Sequence, residues 1–70
     1  MNVVKIHTEY INLGQFLKYV GVINNGGEAK EWLLYNKIYI NSDLESRRGR
    51  KIYPGDSVLI GKKKYLIENV

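Results

Sequence analysis

The sequence contains no cysteine, a single histidine and a single proline among its 70 residues. Without cysteine, neither a disulfide nor a thiolate metal site can stabilise so short a chain, so its stability must come from one apolar core. With His7 alone, a transition-metal site would need carboxylates, and these are scattered along the chain. We therefore expect no bound metal and no cofactor.

Long apolar runs are missing too. No stretch approaches the ~18 apolar residues of a membrane span, and residues 2–5 mix polar and apolar side chains, unlike a signal peptide. Catalytic motifs are equally sparse, because His7 has no obvious nucleophile beside it and Gly26-Gly27 extends into no nucleotide-binding fingerprint. We expect a single cytoplasmic domain over residues 1–70, without enzymatic activity and without membrane contact.

Acidic residues are scarce in the last third of the chain. Residues 1–46 have a net charge of −1 and residues 47–70 a net charge of +5. Four cations, Arg47, Arg48, Arg50 and Lys51, fall within five positions, and only Gly49 separates them. Such a cluster repels itself in the free protein, so it favours a polyanion-binding face. The alternative is a solvated loop that keeps the protein soluble.

Two short helices are predicted in the first half. Asn12 and Gln15 have capping-box spacing, and Gly21 is a helix terminator, which predicts a helix over about 12–20. Its apolar residues recur with helical spacing: Leu13, Phe16, Leu17 and Val20. Asn25 and Glu28 form a second capping-box pair. The second helix has a buried stripe of Ala29, Trp32 and Leu33, and Asn36 is a plausible end.

From residue 37 the apolar period changes to two. Ile38 and Ile40 are predicted to point inwards with Tyr39 outwards, followed by a turn at Ser42-Asp43. Pro54-Gly55 suits the centre of a type II turn. Residues 57–60 and 64–67 then read as the two strands of a hairpin. The predicted fold class is α+β, with two short helices packed on a small antiparallel sheet.

The pair Gly26-Gly27 is unusual in the first turn of a helix, where each glycine costs up to ~1 kcal/mol in propensity. Two explanations remain open. The glycines either let a phosphate approach the free amides of the second helix, or adopt a positive φ without any ligand. If the amides bind phosphate, Gly27→Ala should weaken binding of the phosphate-bearing ligand. Among the six tyrosines, Tyr39 and Tyr53 are candidates for stacking on bases.

The order of these features resembles the S4-type RNA-binding domain, also called the alpha-L RNA-binding motif. The resemblance rests on "LGQFLKYVGVINNGGEAKEWLLYNKIYIN" followed by "RRGRKIYPGDSVLI". It covers about residues 12–60 and is greatest to free-standing, single-domain bacterial members, sometimes called YaaA-like. The family implies binding to structured RNA, often ribosomal or transfer RNA, through the helix pair and the basic stretch. Many members carry Ser and Arg where this chain has Asn25, Gly26 and Gly27, which favours backbone contact there.

Together, the residues and the resemblance predict a non-enzymatic RNA-binding module that acts as a monomer, with the ribosome as a candidate partner. The predicted RNA-binding residues are Lys18, Asn24, Asn25, Gly26, Gly27, Lys30, Asn41, Arg47, Arg48, Arg50 and Lys51. Replacing the four clustered cations should abolish binding with little change in thermal stability. The alternative function is a protein-interaction module whose basic loop docks on an acidic partner, for example in ribosome assembly.

Overall fold

The computed structural model describes residues 2–70, and within them the chain forms seven strands and two helices. In chain order these are β1 (Asn2–Ile6), β2 (Ile11–Asn12), α1 (Leu13–Tyr19), α2 (Ala29–Tyr35), β3 (Ile38–Ile40), β4 (Asp43–Glu45), β5 (Lys51–Ile52), β6 (Ser57–Ile60) and β7 (Lys63–Asn69). A 3₁₀ turn, Gly26–Glu28, leads directly into α2. The predicted α+β class, a helix pair on a sheet, is confirmed.

The main sheet has five strands in the order β1-β7-β6-β3-β4. β1 is parallel to β7, and the other neighbouring pairs are antiparallel. The sheet is therefore mixed, whereas the sequence predicted a purely antiparallel one. The parallel pair brings the two ends of the chain together, from Asn2 opposite Tyr65 to Ile6 opposite Asn69. A second, small sheet pairs β2 with β5.

The core lies between the helices and one face of the main sheet. Ile38, Ile40 and Val58 are fully buried on the sheet side, as their period-two spacing predicted. The helices contribute Leu13, Phe16, Leu17, Ala29 and Leu33. The Phe16 ring meets the Tyr65 ring edge to face at 5.3 Å. Trp32 was predicted as core but is only half-buried, because it packs against the edge of this cluster.

Both predicted capping boxes are present. The Asn12 side chain accepts the Gln15 N–H at 2.8 Å, and the Gln15 side chain accepts the Asn12 N–H at 3.0 Å. At the 3₁₀ turn the Glu28 side chain accepts the Asn25 N–H at 2.9 Å, and the Asn25 side chain accepts the Gly27 N–H at 3.0 Å. After α1, Gly21 adopts φ +85°, as expected of a glycine that ends a helix. These contacts fix the entry of each helix within a few residues of sequence.

The turns after β3 were predicted partly correctly. The β3–β4 turn is centred on Asn41 and Ser42, whose φ values of 51° and 74° suit a type I′ hairpin. Asp43, predicted as a turn residue, instead begins β4 and pairs with Ile40. At Pro54-Gly55 the predicted type II turn is confirmed, since Gly55 has φ +97° and the Asp56 N–H bonds to the Tyr53 carbonyl.

Candidate functional site

The basic loop, defined here as residues 46–51, follows directly after a buried acid. Glu45 ends β4 and is only 7% exposed. Its carboxylate accepts two hydrogen bonds from the Arg47 guanidinium, both at 3.0 Å, and one from Arg50 Nη1 at 2.8 Å. The backbone N–H groups of Ser46 and Arg47 donate to the same carboxylate at 3.0 Å. The predicted mutual repulsion of four uncompensated cations is therefore wrong for Arg47 and Arg50.

This arrangement keeps Glu45 ionised. The Arg47 side chain is the main reason that the pKa of the Glu45 carboxyl lies well below its usual range, and it outweighs burial, which acts in the opposite direction. The backbone N–H groups and Arg50 lower this pKa further. The same contact raises the pKa of Arg47. Glu45 is thus a fixed negative charge around which the loop folds.

The basic loop is also attached to the start of α1. The Leu13 N–H donates to the Arg50 carbonyl and the Gly14 N–H donates to the Arg48 carbonyl, both at 2.8 Å. In addition, Asn12 of β2 pairs with Lys51 of β5. Amide groups in the first turn of a helix have no partners within the helix, so an outside carbonyl satisfies them well. The loop is therefore held from two sides, by Glu45 and by α1.

Arg48 and Lys51 differ from the other two cations. Neither makes a salt bridge within the described part of the chain. Lys51 Nζ lies 4.8 Å from the centre of the Tyr10 ring, a cation–π contact. Arg48 is exposed at the tip of the loop. Within residues 2–70 the loop therefore contains two cations that pair with Glu45 and two that make no salt bridge.

A shallow depression of about 390 Å³ lies where the loop tip faces the helices. It brings together three of the predicted RNA-binding residues, namely Lys18 from α1, Gly26 from the 3₁₀ turn and Arg48. The remaining lining residues are Asn12, Gly14, Gln15 and Gly49. Two cations thus border this depression and no carboxylate does. We refer to it as the basic depression.

The predicted segment 24–27 has its amides largely occupied. The Gly27 N–H donates to Asn25 Oδ1 at 3.0 Å, and the Asn24 and Asn25 N–H groups donate to Glu28 Oε2 at 3.0 and 2.9 Å. A phosphate at these amides would compete with both partners and would meet the Glu28 charge. The positive-φ explanation for Gly26-Gly27 is wrong, since neither glycine has a positive φ. Gly26 instead lines the basic depression with its backbone. The space beside it is open, since a Cβ added there would meet no atom within 4 Å.

Two other predicted contact residues lie outside the basic depression. Lys30 borders a separate groove on the outer side of α2, beside Leu34 and Tyr35. Asn41 uses its side chain within the fold, donating to Asp56 Oδ1 and accepting the Ser57 N–H, both at 2.9 Å. Contact of either residue with RNA stays a prediction.

The two candidate stacking tyrosines lie in different environments. Tyr39 alternates with the buried Ile38 and Ile40, so it lies on the sheet face away from the helices. The Tyr53 ring packs against the Tyr10 ring, with 5.6 Å between their centres. Neither lines the basic depression, and their stacking on bases stays a prediction.

Residues 2–70 show no group of three or more side chains suited to holding a metal ion. His7 lies exposed just after β1. The helices of this described part are too short to cross a membrane. Among the residues that shape the site, the sequence analysis did not identify Glu45, although its spacing from Arg47 and Arg50 is visible in the sequence.

Comparisons with known proteins agree with this architecture. The family model of the S4 domain matches residues 4–68, nearly the whole chain. The chain is also 49% identical over 59 residues to a protein of Bacillus subtilis (strain 168) named "Probable ribosome maturation protein RlbA". That alignment covers 84% of this chain and 83% of the relative.

Proposed function

This chain belongs to the S4 domain family, and we propose that it is a non-enzymatic module that binds structured RNA, ribosomal or transfer RNA in particular. The observation that carries the proposal is the basic depression, where Lys18 and Arg48 meet without a carboxylate in its lining. Double-stranded RNA is recognised largely through its shape, phosphates and 2′-hydroxyls. Two exposed cations beside bare glycine backbone suit such a ligand.

The rigidity of the loop supports this proposal. Arg48 lies between Arg47 and Arg50, which both donate hydrogen bonds to Glu45, and its own carbonyl accepts the Gly14 N–H of α1. A side chain held on a fixed backbone loses less freedom when it binds, which favours affinity. Arg47 also contributes, because it uses only two of its five guanidinium N–H donors on Glu45 and its side chain is 74% exposed.

The name of the Bacillus subtilis relative supports a place in ribosome maturation. We propose that this chain acts there, as a cytoplasmic monomer that recognises ribosomal RNA. Crosslinking in cells followed by sequencing of the attached RNA would identify the RNA. Recovery of ribosomal RNA fragments is expected, and recovery of no specific RNA would contradict the proposal.

The site itself is tested by charge reversal. In the double variant Lys18→Glu/Arg48→Glu, we expect the Kd for the identified RNA to rise by at least about tenfold, since two phosphate contacts become repulsions. The matched control is Lys62→Glu/Lys63→Glu, which changes the net charge equally at exposed positions outside the basic depression. Equal losses in both variants would show that only net charge matters.

Nuclease treatment separates this proposal from the alternative of an acidic protein partner. If the complex isolated from cells rests on RNA, complete digestion of the RNA should release the protein. A complex with an acidic protein would survive digestion and would still be lost in the Lys18→Glu/Arg48→Glu variant. That combination would replace RNA with protein as the ligand of the basic depression.

A further inference from the structure

A second depression is lined by none of the residues of the basic depression, and its character is opposite. It has a volume of about 320 Å³ and lies between α2 and the segment that connects the two helices. Val22, Trp32 and Tyr35 supply apolar and aromatic walls, and Glu28 and Glu31 supply carboxylates. No cation lines it. We refer to it as the acidic aromatic depression.

The charges of this depression are not neutralised by the chain itself. One Glu28 oxygen is fixed by the Asn24 and Asn25 N–H groups, so its carboxylate is held in place. Glu31 is exposed and makes no side-chain hydrogen bond or salt bridge with any residue in 2–70. A fixed carboxylate and a free one therefore lie beside an indole and a phenol ring. RNA is disfavoured here because its phosphates would be repelled.

The surface next to this depression carries exposed apolar side chains, and one cation, Lys30, borders it beside Leu34 and Tyr35. Leu34 is 73% exposed and Tyr35 is 80% exposed on the outer side of α2. Large apolar side chains that stay uncovered together on a helix surface mark an interaction site more often than single ones do. The apolar surface, the aromatic rings and the unneutralised carboxylates together favour a ligand that is both apolar and positively charged.

We propose that the acidic aromatic depression binds an arginine or lysine side chain from an apolar segment of a partner protein. The cation would lie against the Trp32 and Tyr35 rings and pair with Glu31, while neighbouring apolar residues of the segment cover Leu34. The inference does not depend on RNA binding. If both hold, this small domain links an RNA on one side to a cationic protein segment on the other.

A second copy of this chain is a poorer occupant. Its richest cationic segment is the basic loop, in which Arg47 and Arg50 are bonded to Glu45 and Lys51 lies over Tyr10. Docking that loop would expose Glu45 without its partners or use Arg48 alone. Lys62, Lys63 and Lys64 are also exposed, but Tyr65 and Ile67 beside them are buried in the fold, so this segment cannot also cover Leu34. The combination of charge and apolar surface therefore favours a different protein that supplies a cation within an apolar segment.

The test uses a probe of defined chemistry. A short capped peptide that alternates leucine and arginine is titrated into the isotope-labelled protein and followed by NMR. Trp32 is the single tryptophan, so its indole N–H reports on the depression directly. We expect saturable shifts of this signal and of the Glu31 and Tyr35 amides. The same peptide with citrulline in place of arginine should bind at least about tenfold more weakly, because its side chain is uncharged.

Variants localise the effect. Glu31→Gln should weaken binding of the arginine peptide several-fold while leaving RNA affinity unchanged, and Arg48→Glu should do the reverse. The control Glu9→Gln removes an exposed carboxylate outside this depression. Equal binding of both peptides, shifts around Lys18 and Arg48 instead, or no shifts at millimolar peptide would each overturn the proposal. Self-association that Arg48→Glu abolishes would assign the depression to a second copy.

Discussion

Arg47 and Arg50 are bonded to a buried carboxylate, whereas Arg48 borders the basic depression and Lys51 lies over a tyrosine ring. All four are cations in one short run, yet the fold divides them into two kinds. The first pair neutralises Glu45 and shapes the loop, and the second pair leaves its charge on the surface. A run of like charges can therefore alternate between residues that are bonded to a buried carboxylate and residues that make no salt bridge.

This division changes what an alanine replacement of all four cations would mean. The sequence alone predicted loss of RNA binding with little change in stability. Because Arg47 and Arg50 satisfy Glu45, their removal leaves a buried carboxylate without its charged partners, which is destabilising. Loss of binding in the quadruple variant would then mix a contact effect with a folding effect. Separate pairs are the informative variants.

The largest effect is expected at Glu45. Replacing Glu45 by Gln keeps the shape of the side chain but removes its charge, so the charge-assisted bonds from Arg47 and Arg50 weaken. We expect the free energy of unfolding to fall by about 2–3 kcal/mol, measured by urea denaturation followed by circular dichroism. Glu9→Gln is the control, because Glu9 is exposed and makes no side-chain hydrogen bond in residues 2–70. Equal stability of both variants would mean that the loop does not depend on Glu45.

The second prediction compares the two cation pairs directly. Arg48→Ala/Lys51→Ala should weaken RNA binding about tenfold or more and reduce the slope of log K against log salt by ~0.7–0.9 per lost contact. Its stability should stay within about 1 kcal/mol of the unmodified protein. Arg47→Ala/Arg50→Ala removes the same charge but should lower the free energy of unfolding by more than the first pair does, because it leaves the buried Glu45 carboxylate without its charged partners.

Salt titrations of RNA binding and urea titrations of both variants check this comparison. The division between structural and ligand-facing cations fails if the two variants lose RNA affinity and stability to the same extent. It also fails if Arg48→Ala/Lys51→Ala keeps the salt slope of the unmodified protein. In that case the free cations would belong to a solvated loop only.

The third prediction concerns the stability of the protein at low pH. The expected change in the free energy of unfolding is a fraction of that expected for Glu45→Gln at neutral pH. The pKa of Glu45 is lowered in the folded protein from an unfolded value near 4.5. A lowered folded pKa means that Glu45 contributes its full stability above the unfolded value and loses it as the pH falls towards the folded one. The stability difference between the unmodified protein and Glu45→Gln should therefore be constant near neutral pH and shrink below about pH 4.5. A difference that persists unchanged to about pH 3 would contradict this.

Features that depend on neighbouring residues were predictable from the sequence. The capping boxes at Asn12 and Asn25 join residues three apart, and the period-two pattern of Ile38 and Ile40 is equally local. The Pro54-Gly55 turn also follows from residue preferences within four positions. In each case the residues that cause the local structure lie within four positions of the residues that adopt it.

Features that depend on distant pairing were not predictable in this way. The parallel pairing of β1 with β7 joins the two ends of the chain, and no local pattern specifies it. By its position, Glu45 belongs to residues 1–46, whose net charge is −1, and not to the basic loop that begins at the next residue. Its burial depends on the β3–β4 hairpin, in which it pairs with Ile38, and on the attachment of the loop to α1. The role of the charge thus follows from the tertiary fold.

The smallest effects are expected at Gly26 and Gly27. Variants at these positions distinguish RNA that packs against the Gly26 backbone from a phosphate that accepts the Gly27 N–H. A Cβ on Gly26 meets open space beside the basic depression, whereas a Cβ on Gly27 lies 3.2 Å from Asn25 Oδ1. Gly26→Ala should raise the free energy of unfolding by up to ~1 kcal/mol by restricting the unfolded chain. It should also weaken RNA binding a few-fold, because the methyl group occupies the surface that RNA would approach.

Gly27→Ala is the matched variant. The Gly27 amide already donates to Asn25, so we expect its RNA affinity to be unchanged and its stability to shift by less than about 1 kcal/mol, with the close Asn25 contact offsetting the gain. Binding and urea titrations of both variants decide the question. If Gly27→Ala weakens RNA binding in a fully folded protein while Gly26→Ala does not, phosphate must displace Asn25 from the Gly27 amide. The helix start would then bind RNA together with Arg48 and Lys51, and the hydrogen bond from the Gly27 N–H to Asn25 would exist only in the free protein.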